Sequence, residues 1–169
     1  LVPLIHSPRS TTFNVLLTLR TKHLRSHAGQ VSLPGGSMDP EDKNARATAL
    51  RETEEEVAIK PDQVRILGTM PSIILPSAYQ VTPVVGVIDS RVAARAHPNP
   101  DEVAEIFEAP ASLLFNPDSY QLQSMEFRNS TRKFWELHFQ QFRIWGATAA
   151  ILRHLAEEMS AHIQNSQDP

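Results

Sequence analysis

Three glutamates at helical spacing are the residues in this sequence best placed to do chemistry. Glu52, Glu55 and Glu56 stand at i, i+3 and i+4 within a segment whose pattern predicts a helix. On a helical wheel of about 100° per residue they fall within an arc of about 100°. Like charges at this spacing repel one another, whereas Mg²⁺ typically binds one or two carboxylates together with substrate phosphates. The spacing therefore suits a site for a hard divalent cation, although a Glu-rich helix taken alone is more often a solvated acidic face.

The helix that carries these glutamates follows a Pro-Gly-Gly turn. Asp39-Pro40 resembles a helix start, with an acidic N-cap and a proline at the first position, and Asn44 makes a start a few residues later equally possible. The helix should end near Val57, because Pro61 disfavours helix at the residue before it.

The rest of the pattern predicts a mixed sheet with helices packed on it. Leu50 and Val57 should dock the acidic helix on this sheet, while Glu54 faces solvent. Alternation over 12–20 predicts a strand. Segment 101–109 could be either strand or helix, and 110–115 resembles one helical turn. Further strands are predicted at 64–70, 72–76, 80–89, 132–139 and 142–146, with a closing helix at 147–164.

Composition narrows the classes of protein. The chain has 169 residues, a net charge of −3 and no cysteine. The charge argues against a general nucleic-acid binder, and the missing cysteines exclude a disulfide framework, a thiolate zinc site and a cysteine nucleophile. No apolar run approaches the roughly 18 residues of a membrane span. We expect a single domain over 1–165, a disordered tail at 166–169, and a cytoplasmic location, although a chain that begins at Leu1 could lack a targeting segment.

The acidic segment resembles the box of the Nudix hydrolases. The stretch GGSMDPEDKNARATALRETEEEVAI contains the second half of that box in order, at Arg51, Glu52, Glu55, Glu56 and Ile59. Two departures are visible. The gap from Gly36 to Arg51 is one residue longer than in the general pattern, and Ala58 stands where glycine is usual.

The segment before the helix is similar to the signature of the coenzyme A pyrophosphatase branch. In LLTLRTKHLRSHAGQVSLPGG, Thr21 and Leu33 depart mildly from that signature. The segments 99–110 and 144–149 also look like this branch, so the resemblance covers most of the chain. The matching positions are Leu16, Leu17, Thr18, Arg20, Arg25, Gly29, Pro34, Gly35 and Gly36.

The resemblance implies an α/β Nudix fold, an α/β/α sandwich with a mixed β-sheet. It implies metal-dependent hydrolysis of the pyrophosphate bond of coenzyme A or acyl-CoA, to 3′,5′-ADP and (acyl-)4′-phosphopantetheine. The alternatives are hydrolysis of another nucleoside diphosphate derivative (ADP-ribose, NADH or an oxidised nucleotide), or a non-catalytic binding module. The expected partner is a small-molecule substrate, and neither nucleic acid nor a membrane is expected. Whether the protein forms a homodimer is left open.

The same resemblance assigns the site residues. Glu52 is the first choice for general base, and the Gly36 carbonyl is a further candidate metal ligand. The metal ligands for Mg²⁺ or Mn²⁺ are Glu52, Glu55 and Glu56. The catalytic residues are these three glutamates and Arg51, which pairs with a box glutamate. The substrate-binding residues are Arg20, Arg25, Gly35 and Gly36.

Several other residues keep two interpretations. The basic loop that holds Arg20 and Arg25 either attracts substrate phosphates or is a solvated charged loop; bidentate guanidinium contacts favour the arginines. Glu102 and Glu105 lie where many Nudix enzymes place a further acid, and they could equally form a surface pair.

Overall fold

The computed structural model describes residues 1–75, 78–127 and 130–165. Two short 3₁₀ helices, Pro61–Gln63 and Pro117–Ser119, connect larger elements. The strands are β1 (Val2–His6), β2 (Phe13–Arg20), β3 (Val31–Ser32), β4 (Val64–Thr69), β5 (Ile73–Ile74), β6 (Gln80–Val81), β7 (Val84–Asp89), β8 (Val103–Pro110), β9 (Gln121–Phe127), β10 (Ser130–Phe139) and β11 (Phe142–Trp145), and the helices are α1 (Ala45–Val57), α2 (Ser90–Ala93), α3 (Ala111–Leu114) and α4 (Gly146–Asn165).

Strand β2 is the centre of the main, six-stranded sheet. It pairs antiparallel with β8 along residues 14–20. On its opposite edge, β2 pairs with β1, through Val15, and with β3, through Thr18 and Leu19. The sheet continues from β1 to a parallel β7 and then to an antiparallel β4. The expectation of a mixed sheet is confirmed.

Two hydrophobic clusters lie on the two faces of this sheet. Val15 and Leu17 of β2 belong to a cluster that includes Leu152 of α4. Leu16 points the other way and packs with Val57 of α1. Because neighbouring side chains of a strand point to opposite faces, β2 is buried on both sides, and the helices form the outer layers. The predicted α/β/α sandwich is confirmed.

Most predicted elements are present, and the differences have local causes. The ambiguous segment 101–109 forms β8, and the run predicted at 80–89 is divided into β6 and β7 around Pro83, which cannot donate to a ladder. The sequence pattern did not reveal β1, which contains Pro3, nor β9, nor the single turn of α2. The predicted tail at 166–169 lies outside the described residues. No helix in the described part of the chain is long and apolar enough to cross a membrane.

Helix α1 begins at the later of the two predicted starts. Asn44 is its N-cap, and its side-chain oxygen accepts hydrogen bonds from the backbone N–H groups of Arg46 and Ala47. The helix ends at Val57 as predicted. Ala58 follows in the left-handed conformation, with φ 57° and ψ 28°, and its N–H donates to the Glu54 carbonyl oxygen. The family's usual glycine at this position thus has a conformational explanation.

We expect Ala58→Gly to raise the free energy of unfolding by about 0.5–1 kcal/mol, because glycine enters the left-handed region without the steric penalty of a Cβ. Chemical denaturation measures this change. Ala47→Gly, in the right-handed first turn of the same helix, is the matched control and should lower stability instead. A lower free energy of unfolding for Ala58→Gly would contradict the steric penalty that we assign to the Cβ of Ala58.

Candidate active site

Glu56, in the last turn of α1, is the most buried of the three box glutamates. Its residue is 1% exposed. Oε1 lies 3.4 Å from Nη1 of Arg20, and Oε2 accepts a hydrogen bond of 3.3 Å from the backbone N–H of Gly35. The pKa of the Glu56 carboxyl is raised to about 7, chiefly by burial; the charges of Glu52 and Glu102 contribute to the rise, and Arg20 and the Gly35 N–H oppose it. Arg20 and the Gly35 N–H therefore do not fully compensate for the burial of the Glu56 carboxylate and for the neighbouring negative charges.

Glu52, one turn earlier, is held against the turn that precedes the helix. Its side chain is 16% exposed, and Oε1 lies 3.0 Å from Nη1 of Arg51. A Cβ built on Gly36 would lie 2.5 Å from that same Oε1. Only a glycine leaves room for the carboxylate at this place. Burial also raises the pKa of Glu52, against the lowering effect of Arg51.

Glu55 is set apart from these two by its exposure. Its side chain is 53% exposed and contacts Nη1 of Arg51 at 2.9 Å. It lies on the outer edge of the acidic face, whereas Glu52 and Glu56 lie inside. Glu54 is exposed, as predicted.

Arg51 ties the helix to the preceding loop as well as to the box glutamates. Its Nη2 donates to Asp42 Oδ2 at 3.0 Å and to the Ser37 carbonyl oxygen at 3.2 Å, and it lies 3.5 Å from Asp39 Oδ2. Hydrogen bonds from Arg51 lower the pKa of Asp42 to about 2. Sequence reasoning did not identify Asp42, and its only signal was an acid nine residues before the arginine. Arg51 thus orients Glu52 and Glu55 from a fixed anchor.

Arg20, at the end of β2, reaches the same site from the sheet. Besides Glu56, its guanidinium faces Glu102, with Nη2 to Oε2 at 3.9 Å. Backbone pairing places these residues together, because the Thr21 N–H donates to the Glu102 carbonyl oxygen. Of the two acids left open by the sequence, Glu102 lies at the site. Glu105 is exposed on β8, and its side chain makes no hydrogen bond or ion pair with a box residue among those described.

The rest of the basic loop does not touch the glutamates. Arg25 is exposed and has no hydrogen bond or ion pair with any residue that the structure describes. His23 is engaged elsewhere, with Nε2 3.0 Å from the Asp101 carbonyl oxygen, and His27 Nδ1 lies 3.0 Å from Gln30 Oε1. The two predicted phosphate-binding arginines therefore occupy different environments, one inside the site and one free at the surface.

The donor set suits a hard divalent cation. Glu52 and Glu56 are largely buried carboxylates with raised pKa values, near Glu102, and a cation would relieve both their burial and their mutual repulsion. Within residues 1–75, 78–127 and 130–165 no three acidic or histidine side chains already form a closed metal cage. Arg51 and Arg20 contact the carboxylates that a metal would take.

The raised pKa of Glu56 predicts how the stability of the metal-free protein depends on pH. The carboxyl keeps its proton in the folded state up to about pH 7 and loses it near 4.5 when unfolded. Between those values the folded state binds more protons, so stability falls as pH rises. In chelator, the free energy of unfolding of the wild type relative to Glu56→Gln should fall by an amount on the order of 3 kcal/mol across this window.

Urea denaturation of both proteins at steps from pH 4.5 to 7 measures that difference. Glutamine cannot titrate, so the variant removes this contribution and leaves every other titration in place. Parallel stability profiles would show that Glu56 titrates normally.

Comparisons with known proteins identify a family for this chain. A model of the NUDIX domain matches residues 3–134. The uncharacterized Nudix hydrolase NudL of Pectobacterium atrosepticum is 45% identical over 160 residues, covering 95% of this chain and 81% of the relative. The protein of the same name from Escherichia coli K12 is 42% identical over 156 residues, covering 92% and 79%.

Solved structures show the same fold at low identity. The Nudix hydrolase RenU of M. smegmatis has a TM-score of 0.59 and 18% identity, covering 95% of this chain and 83% of its own. A C. elegans Ap4A hydrolase has a TM-score of 0.58 and 14% identity, covering 97% of each chain.

The chain belongs to the Nudix family. It is a Nudix hydrolase, an enzyme that cleaves phosphoric anhydrides in nucleoside diphosphate derivatives, and enzymes of this family generally use divalent metal ions.

Proposed function

We propose that this Nudix hydrolase cleaves the pyrophosphate bond of coenzyme A or acyl-CoA with Mg²⁺ or Mn²⁺. The observation that carries the proposal is the segment 16–36, which resembles the coenzyme A pyrophosphatase signature and packs against the box glutamates. Its Arg20 and Gly35 contact Glu56, and its Gly36 lies against Glu52. The substrate-related segment and the metal-related segment therefore form one site.

The proposed roles follow from burial and contacts. Glu52 and Glu56 would hold the metal, with Glu55 as a further ligand at the outer edge. The metal supplies neutralisation of phosphate charge and activation of water. Glu52 is the first choice for general base, since it has a raised pKa and is oriented by Arg51. The Gly35 N–H fixes one oxygen of Glu56 and so orients its carboxylate.

Arg25 is the arginine available for the 3′-phosphate of coenzyme A. It is exposed on the loop that follows Arg20, and it has no partner within the described residues that a phosphate would have to displace. A guanidinium grips a phosphate through two parallel hydrogen bonds. Arg20, in contrast, is already engaged by Glu56 and Glu102.

We expect coenzyme A to be preferred over dephospho-coenzyme A by roughly 10- to 100-fold in kcat/KM, which corresponds to a charge-assisted contact of about 1.5–3 kcal/mol. The two substrates differ only in the 3′-phosphate. Arg25→Ala should remove most of this preference and leave cleavage of dephospho-coenzyme A little changed. Arg25→Lys should recover only part of it, because an ammonium group cannot make the paired contact.

A panel that adds ADP-ribose, NADH and an oxidised nucleotide, with chromatographic identification of products, tests the substrate class itself. Release of 3′,5′-ADP and 4′-phosphopantetheine supports the proposal. Cleavage of ADP-ribose or NADH without cleavage of coenzyme A would reject it, while the family assignment would stand. Equal losses on both coenzyme A substrates in Arg25→Ala would assign this arginine to the pyrophosphate or to general attraction.

A further inference from the structure

The guanidinium of Arg20 lies between two carboxylates without a close contact to either. Nη1 is 3.4 Å from Glu56 Oε1, and Nη2 is 3.9 Å from Glu102 Oε2. Charge-assisted hydrogen bonds of this type are normally about 2.7–2.9 Å long. Its Nε is buried and has no hydrogen-bond partner in the described part of the chain. Arg20 is therefore held mainly by charge and weakly by hydrogen bonding.

Arg51, the other arginine at the site, is held quite differently. It contacts Glu55 Oε2 at 2.9 Å, and it also has partners outside the box glutamates, at Asp42 and at the Ser37 carbonyl oxygen. Those outside partners keep Arg51 in place whatever binds to the glutamates. Arg20 has no comparable anchor among the described residues, since both of its ion-pair partners are acids at the site.

Each oxygen of the Glu56 carboxylate has one polar neighbour among the described residues. Oε2 receives the Gly35 N–H, which belongs to the backbone of the turn, and Oε1 faces Arg20. A divalent cation at this carboxylate would meet either a fixed amide or a charged group on a long side chain. The charged group is the one that can leave, and a guanidinium within a few ångströms of a divalent cation is repelled by it.

We propose that Arg20 is the resident counter-cation of this site, which bridges Glu56 and Glu102 in the metal-free enzyme and is displaced from them when the divalent cation binds. Arg20 then opposes metal binding. In the metal-free protein it supplies a positive charge to a buried carboxylate that would otherwise have only the Gly35 N–H as a hydrogen-bond partner among the described residues. The proposal concerns metal binding and does not depend on which substrate the enzyme cleaves.

The test is calorimetric titration of the metal-free protein with Mn²⁺ at fixed ionic strength and at a fixed pH above 7, where the Glu56 carboxyl is ionised. Arg20→Gln removes the competing charge, so its dissociation constant for Mn²⁺ should fall by about fivefold or more. Arg25→Gln, which removes the same charge from the same loop at an exposed position, is the matched control and should stay within about twofold of the wild type, because exposed charges are screened.

Thermal denaturation gives a second readout, because Arg20→Gln should change the melting temperature of the metal-free protein and the rise caused by Mn²⁺ in opposite directions. Without metal, Arg20→Gln should melt at a lower temperature than the wild type, because Glu56 loses its partner. The increase in melting temperature on saturation with Mn²⁺ should be larger for Arg20→Gln than for the wild type, because tighter binding of a ligand to the folded state stabilises it more. A structural role alone would lower stability equally with and without metal.

Equal Mn²⁺ binding by Arg20→Gln would overturn the proposal. Weaker binding would also overturn it and would show that Arg20 orients the carboxylates for the metal. If Arg20→Gln does not fold without metal, Arg20→Lys provides a second test of the proposal. An ammonium group cannot span both carboxylates, so Arg20→Lys should bind Mn²⁺ more tightly than the wild type and less tightly than Arg20→Gln. Affinity at or below that of the wild type would likewise reject the exchange.

Discussion

Glu56→Gln should lower kcat by at least about 100-fold, the scale on which removal of an electrostatic stabiliser acts. Glutamine has the shape of glutamate and keeps an oxygen that can accept the Gly35 N–H, so the helix and the turn should stay in place. The carboxylate charge, which is buried beside Arg20, is the property that is lost. Steady-state kinetics on the preferred substrate of the panel, at saturating Mg²⁺, measures the effect.

Glu54→Gln is the control for this experiment. Glu54 lies two residues earlier on the same helix and is exposed. Its replacement removes the same charge from the same element, so long-range effects of net charge appear in both variants. We expect activity within about twofold of the wild type for a surface change of this kind. Near-normal turnover by Glu56→Gln would remove Glu56 from the set of metal ligands.

Gly36→Ala should lower kcat by about 100-fold, because a misplacement of about 1 Å at a reacting group can have an effect of that size. The new Cβ would lie 2.5 Å from Oε1 and 2.7 Å from Oε2 of Glu52, so the carboxylate must move. Gly36 does not have a positive φ, and alanine is therefore compatible with the backbone at this position. The fold should be retained while the geometry of Glu52 is lost.

A double-mutant cycle shows whether the effect passes through Glu52. In a Glu52→Gln background, Gly36→Ala should cost little further activity, since the group that it displaces has already been removed. Gly68→Ala is the control, because a Cβ there meets nothing within 4 Å. Additive losses in the cycle would mean that Gly36 acts on something other than Glu52.

The local part of this site was readable from the sequence. Helix α1, its end at Val57 and the shared face of the three glutamates follow from a periodicity of about 3.6 residues and from proline and cap chemistry, which act within a few positions of the chain. The alternation of β2 and the presence of a mixed sheet were predictable for the same reason. The resemblance to the Nudix box added the metal and the class of reaction.

Other features depended on contacts between distant segments. Spacing made the three glutamates look equivalent, but the structure buries Glu56, half-exposes Glu55 and presses Glu52 against Gly36. The difference arises because the glycine turn and the end of β2 pack on one side of α1. No pattern within the helix reports which neighbours it will meet.

The two arginines of the basic loop show the same division. The sequence by itself determined that Arg20 and Arg25 lie on one charged segment beside an acidic helix, and it treated them alike. The pairing of β2 with β8, together with the hydrogen bond from Thr21 to the Glu102 carbonyl, brings Glu102 beside Arg20, 82 residues away in the sequence. Arg25 lies beyond the paired strand and stays in solvent. Only the tertiary structure could make this distinction, because the charges that an arginine meets are set by strand register between segments far apart in the chain, whereas helix periodicity is set by neighbours.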